Sequence, residues 1–500
     1  MNLSKSRYCK GIRCQKILWL DAHKSEVRDE SVFNKAVFET GNRVGDLAMG
    51  YYGAFSEVPY NDDKSIMIAE TKRLLAANTP IICEGSFSFN GNFCSVDILR
   101  VRGNDVEITE VKSSTDISPI YYDDIAFQYH VLSSCGLNLK KTFIMHINNE
   151  YERQGNIDLT GLFTAHECTT IVRAMQKDVA ANIECFKKSA EEKNELNVEI
   201  GMHCVDPYEC EYRAYCWKHI PKNSVFDVSG QALHWDKKFD LYKRGIISYK
   251  QLLESGEKLN DAALMQIETF IYKKPPVINR EAIRLFLDTL SWPLYFLDFE
   301  TFNEAIPPFD GLRPYMQVPF QYSLHIQETP GADPEHREFL AKEGTDPRDE
   351  LAVRLCADIP QNVCVLSYNM NFEKRCIKEL AHWLEKHEKD DMAAHLLNMH
   401  DNFKDLMKLF QHRAYYSSEL DGSYSIKKVL PALCPNDPEL DYKKLALVHD
   451  GGEAQTVYSN LAGKSPEEQE RIRTALLAYC RLDTLAMVKI LEKLTNICLQ

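Results

Sequence analysis

The chain has 500 residues, 44% hydrophobic and 26% charged, a globular balance spread over more residues than one ordinary core uses. It has no run of roughly 18 apolar residues to cross a membrane, and its net charge of −14 leaves a nucleic-acid partner only a local basic groove. Sixteen cysteines and no apolar leader predict a reducing, cytoplasmic setting, where closely spaced cysteines bind metal more often than they pair.

In chain order, the first chemical pattern is a predicted strand meander from Ile81 to Glu110. Glu84 to Phe89 alternates, Asn90-Gly91 is a hairpin signal, and Phe93 to Val101 alternates again. After a turn at Gly103-Asn104, the next strand ends in Glu110-Val111-Lys112, which places Glu110 and Lys112 on one face. Antiparallel pairing would bring Asp97 beside them. Two carboxylates and a lysine suit phosphodiester hydrolysis: the acids hold divalent ions and the lysine offsets developing charge. Gln128, on a predicted helix from Asp123 to Leu132, would touch a phosphate or the nucleophile. Acids and a lysine on a solvated strand face are the competing reading of so short a pattern.

The string Val96-Asp97-Ile98-Leu99, Glu110-Val111-Lys112-Ser113-Ser114 and Gln128 resembles the RecB branch of the PD-(D/E)XK nucleases. Cys14 near the start and Cys204, Cys210 and Cys216 late in the region strengthen the resemblance. That arrangement is similar to iron–sulfur nucleases in which a cluster ties together the two ends of the domain. The resemblance implies Asp97 and Glu110 as metal ligands, Lys112 and Gln128 as catalytic residues, and a [4Fe–4S] cluster or structural Zn²⁺ on the four cysteines. Cys9 is the alternative to Cys14. Two features depart from the pattern. Gly45 stands where relatives place a further histidine ligand, and the late cysteines are evenly spaced.

Residues 226–290 read as a helical connector, with amphipathic segments Tyr249 to Glu254 and Asp261 to Tyr272 and a stiff break at Lys273-Lys274-Pro275-Pro276. From residue 291 buried strands alternate with helices. Trp292 to Thr301 is an apolar strand interrupted by Asp298 and Glu300, which share a face at i and i+2. Charges in a core strand are costly unless paired or bound to a cation. A second buried strand, Val363 to Tyr368, leads to Glu373 near a helix start. Ser465-Pro466-Glu467-Glu468 opens a last helix, on which Tyr479 and Asp483 share a face.

These three pieces in this order resemble the DEDD exonucleases of the RNase H-like fold, in their tyrosine subclass. The resemblance implies Asp298, Glu300, Glu373 and Asp483 as ligands of Mg²⁺ or Mn²⁺, with Tyr479 positioning the attacking water. Glu373 replaces the usual aspartate, and Asp405 is a further acid near the pattern. Lys427 and Lys428 are either phosphate contacts or solvated surface. The C-terminal string is also similar to an uncharacterised bacterial domain family often fused to a RecB-like module.

The expectation is therefore an α/β protein with a PD-(D/E)XK restriction-endonuclease-like domain (1–225), a helical connector (226–290) and an RNase H-like domain (291–500). Its expected activity is that of a metal-dependent nuclease. An exonuclease on DNA is favoured over one on RNA, in repair, recombination or defence, with a helicase or defence protein as a further partner. The alternative is a catalytically decayed nucleic-acid-binding or scaffold protein.

Overall fold

The computed structural model describes residues 2–32, 35–230, 232–435 and 437–499. The chain is α/β and forms two compact units. The first comprises Met1–His219 with Glu304–Tyr315, and the second comprises Ile220–Asn303 with Met316–Gln500. No helix among the described residues is long and apolar enough to cross a membrane.

The first unit is built on a seven-stranded mixed sheet of β1 (Leu3–Ser4), β2 (Ser56–Glu57), β3 (Ile81–Phe89), β4 (Asn92–Arg102), β5 (Asp105–Lys112), β6 (Asn138–Ile147) and β7 (Phe163–Glu167). β2 to β7 lie in chain order, and β1 pairs with β4 in parallel. The β3–β4 hairpin turns at Asn90 and Gly91, both at positive φ (49° and 75°), as a tight two-residue turn requires. β5 and β6 are parallel, joined by a crossover carrying the Ile120–Ser134 helix. That helix buries Ile125, Phe127, Val131 and Leu132 in a core with Leu99, Ile108 and Ile144 of the sheet.

In the second unit the order is β11 (Glu335–Leu340), β10 (Val318–Gln327), β9 (Leu294–Phe302), β12 (Cys364–Ser367) and β13 (Phe403–Asp405). β9, β10 and β11 pair antiparallel; β12 and β13 continue in parallel. A two-stranded sheet joins β8 (Val277–Ile278) to β14 (Tyr415–Tyr416). The Pro466–Leu499 helix packs its apolar face on this core through Leu482, Ala486, Val488, Ile490 and Leu494. At its start, Glu468 N–H donates to Ser465 Oγ while Ser465 N–H donates to Glu468 Oε2, the reciprocal cap read from the sequence.

The helices expected as a connector fall in the second unit. Trp235–Lys243, Tyr249–Glu254 and Asp261–Ile271 bury Phe239, Leu241, Leu252 and Ile267. Met265 packs against the core of that unit, and Gly422, at φ 75°, lies so close to the Gln266 amide that no side chain would fit there. Helices with apolar faces need a partner to bury them.

Candidate functional site

In the second unit, period-two alternation sends Asp298 and Glu300 of β9 to one face, where they line a cavity of about 350 Å³. The Met370–Lys386 helix contributes Glu373 to the same cavity, and the C-terminal helix contributes Tyr479 and Asp483. Five side chains named from the sequence thus meet from three distant stretches of chain. Asp405 is not among the residues lining the cavity. Its carboxylate accepts the backbone N–H groups of Asn369 and Met407 and holds the turn that leads to Glu373.

The electrostatics follow from packing acids together away from water. Burial, then the neighbouring Asp483, raises Asp298 well above the usual carboxylate range. Glu300 is raised by burial and by Asp298 and Asp483, and Glu373 by burial and Asp298. Burial moves Asp483 up to about 6, held back by hydrogen bonds from Tyr442 and Tyr479 and by the charge of Lys427. Glu373 Oε2 is buried with no hydrogen-bond partner. Repelling carboxylates with an orphaned oxygen fit a hard divalent cation, which would supply the missing positive charge.

Three further groups join this site: Tyr442 and Cys480, which carry no sequence signal, and Lys427, named from the sequence as either a phosphate contact or solvated surface. Tyr442, on a three-residue turn (Tyr442–Lys444), donates to Asp483 Oδ1 at 2.5 Å. Cys480 Sγ lies 3.6 Å from Asp298 Oδ2, and Asp298, Glu300 and Cys480 offer ligand atoms within 4.8 Å of one another. Lys427 lines the cavity, with its ammonium 5.4 Å from the Tyr479 ring centre, and donates to His449 O at 2.6 Å. Lys428 instead pairs with Asp421 at 2.8 Å on the surface. Behind the C-terminal helix, the Thr484 hydroxyl lies 2.7 Å from both His325 Nδ1 and Ser323 Oγ. Burial pushes His325 down to about 3, which keeps the imidazole neutral.

In the first unit, β4 and β5 bring Asp97 beside Glu110 and Lys112, and Asp97 Oδ2 accepts the Val111 N–H at 2.6 Å. Glu110 is 2% exposed. It takes Lys112 Nζ at 2.7 Å on Oε1 and the Gln128 amide at 2.5 Å on Oε2. Gln128 thus engages Glu110 and leaves its own buried Oε1 unpartnered. Lys5, Glu84 and Asp124 complete the cluster. Glu84 sits at φ 56°, where it and Asp97 interrupt the β3–β4 pairing without shifting the register, and its carboxylate feels the charges of Lys5 and Glu110. Asp124 lies one helical turn before Gln128 and pairs with Lys112. Burial, then Glu110, moves Asp97 up to about 8; burial moves Glu84 up to about 7. Gly45 falls on the Lys35–Ala48 helix with nothing within 4 Å of where a side chain would begin.

Cys14, Cys204, Cys210 and Cys216 line one small pocket with Ile17, Leu20 and His203. His203 hydrogen-bonds to Cys14 and Cys204, which raises it to about 10. Cys9 lies elsewhere, 3.8 Å from Asp124 Oδ1. All sixteen cysteines are free thiols. Four thiols lining one pocket have the donor chemistry of an iron–sulfur cluster or a tetrahedral metal, but no three of their sulfur atoms lie within 4.8 Å of one another.

A family model described as a domain of unknown function, DUF2779, matches residues 295–425, the stretch holding Asp298, Glu300 and Glu373. The chain is 28% identical over 236 residues to an uncharacterised protein, UU173, of Ureaplasma parvum, a match covering 44% of this chain and 34% of that protein. It is 24% identical over 296 residues to an uncharacterised MG366 homologue of Mycoplasma pneumoniae, covering 54% of this chain and 44% of the relative. The chain thus spans less than half the length of these relatives. No solved structure matches it.

Proposed function

We propose that this chain is a metal-dependent nuclease whose principal active site is the acidic cavity of the second unit. The observation that carries this reading is the convergence of Asp298, Glu300, Glu373 and Asp483 with Tyr479 on one cavity, from three stretches at least 73 residues apart. Mutually repelling buried acids are costly to a fold and are retained where cations are bound. On this reading the second unit is an RNase H-like exonuclease domain of the tyrosine subclass, and the first is a RecB-type PD-(D/E)XK domain.

The four carboxylates would hold Mg²⁺ or Mn²⁺. When bound, these ions supply a lowered water pKa and a counter-charge for the leaving oxygen. The protein's own groups do the rest. Tyr479, hydrogen-bonded to Asp483, presents a hydroxyl at the cavity wall that orients a water for attack. Lys427, at the rim, offsets phosphate charge in a protein with a net charge of −14. DNA is favoured as substrate, with RNA the competing polymer. In the first unit Cys14, Cys204, Cys210 and Cys216 would hold a [4Fe–4S] cluster, or Zn²⁺ in its place, fastening the start of the unit to its end. A brown preparation absorbing near 400 nm, with the colour lost in Cys204→Ser, is expected for the cluster, whereas a colourless protein with stoichiometric zinc supports the metal ion.

The test of the nuclease reading is cleavage of end-labelled single-stranded DNA and RNA with Mg²⁺ or Mn²⁺, comparing the intact chain with Asp298→Ala and Lys112→Ala. Loss of cleavage in Asp298→Ala alone is the expected result. No cleavage with either metal would replace the enzyme by a binding or scaffold protein.

A further inference from the structure

In the first unit, Glu110 has no free valence. Its Oε1 accepts Lys112 Nζ at 2.7 Å and Lys5 Nζ at 2.9 Å, and its Oε2 accepts Gln128 Nε2 at 2.5 Å and Lys5 Nζ at 3.1 Å. A carboxylate has about four lone-pair positions, and four contacts fill them. A cation that takes Glu110 as ligand must therefore displace a donor. Lys112 is also tied to Asp124, and Gln128 is fully buried. Lys5 makes the longest contacts to Glu110, and its side chain is 25% exposed against 19% for Lys112.

The placement of Lys5 is itself unusual. It is the first residue of the Lys5–Arg13 helix, where the aligned peptide dipoles disfavour a positive charge, and that first turn carries no acid. β1 holds the residues before it against β4 through Leu3↔Asn92 and Ser4↔Phe93, and Ser4 Oγ caps the helix by accepting the Arg7 N–H at 3.3 Å. The ammonium is thus delivered by a fixed backbone into a cluster of Glu84, Asp97, Glu110 and Asp124. It lies 3.9 Å from Asp124 as well. These four acids face only two lysines, Lys5 and Lys112, which leaves a formal charge of −2 when all are ionised.

We propose that Lys5 is a built-in counter-cation of this site, which competes with a divalent metal for Glu110 and is released toward the substrate phosphate when the metal binds. The proposal rests on the reading of the first unit as a cation site and extends it. Lys5 keeps Glu110 paired between binding events and turns to the phosphodiester once displaced. The orphaned Gln128 Oε1 then offers an acceptor to a water brought in with the metal.

The experiment is Mn²⁺ binding by full-length protein, read by calorimetry and by the loss of the free-ion electron paramagnetic resonance signal, in an Asp298→Asn, Asp483→Asn background that silences the second site. Lys5→Met is expected to tighten Mn²⁺ binding by about tenfold or more, because a competing charge within 4 Å is removed. Lys5→Arg, which keeps the charge, is expected to retain weak binding. Adding Glu110→Gln to Lys5→Met should abolish the gain and so locate it. Unchanged or weaker binding in a Lys5→Met protein that melts cooperatively overturns the proposal. If no variant binds Mn²⁺ at this site, the proposal and the cation reading of the first unit fall together. The nuclease reading of the second unit is judged separately, by the cleavage of the otherwise unmodified chain.

Discussion

At the scale of single residues, the two acidic clusters differ in how their charge is met. Glu110 has two lysines, which overcome burial and hold it well below the usual carboxylate range. Asp298, Glu300 and Glu373 have each other, and all three are raised. A carboxyl whose folded pKa exceeds its unfolded value binds protons more tightly when folded. Its contribution to stability is present below about pH 4 and is lost as pH climbs through the folded value. Asp97, at about 8, and Asp483, at about 6, extend this loss across neutrality. Glu110 has the opposite sign, but its contribution is already complete above about pH 5 and stays constant through this window. In chelator, therefore, melting temperature is expected to fall between about pH 5 and 8.5, and Mn²⁺ is expected to restore it. Asp298→Asn should flatten the fall and raise the melting temperature at pH 8. A change of ~1 kcal/mol moves it by roughly 2–4 °C in a domain of this size. A melting temperature that rises with pH in chelator would refute this account.

Elements place these residues, and here the sequence was informative where period and chemistry coincide. The Asn90-Gly91 turn, the i, i+2 pair Asp298 and Glu300, the Ser465 cap and the i, i+4 pair Tyr479 and Asp483 each follow from local geometry. Lys5, Glu84 and Tyr442 do not. Lys5 resembles any basic residue near a chain start, and it reaches Glu110 only because β1 pairs with β4. Glu84 reads as one more alternating strand position, and its left-handed backbone at φ 56° is not written in the pattern. Tyr442 lies on a short turn 41 residues before its partner. Asp124 was nearer to being legible, four residues before Gln128 on one helix. The C-terminal helix gains its register on the sheet from tertiary contacts that no pattern announces, Thr484 to His325 and Ser323. Thr484→Val takes a buried partner from His325 Nδ1 and from Ser323 Oγ, of which Ser323 keeps His336 Nε2 at 3.0 Å. It should cost about 1–3 kcal/mol in urea denaturation and weaken divalent binding by shifting the adjacent Asp483. Full stability and unaltered binding would show that the network is passive.

For the whole molecule, a charge of −14 means that nucleic acid gains little from long-range attraction. On the proposed nuclease reading, cations held in the acidic sites would do much of the phosphate neutralisation. Single-stranded DNA binding, followed by fluorescence anisotropy, is expected to vanish in chelator and return with Ca²⁺, which fills carboxylate sites without efficient turnover. Tight binding in chelator would place the contact on a separate basic surface.

The helix that begins at Lys5 is nine residues long and ends at Arg13, and the next residue is Cys14. One end of a rod about 14 Å long therefore sits in the thiol pocket and the other in the carboxylate cluster. Whatever anchors Cys14 also sets the reach of the Lys5 ammonium. Cys14→Ser is therefore expected to shift the Mn²⁺ affinity of the Glu110 site, measured in the same double-asparagine background, although no thiol of the pocket touches that site. The first unit would then report the integrity of its sulfur centre through the cation affinity of a distant acid.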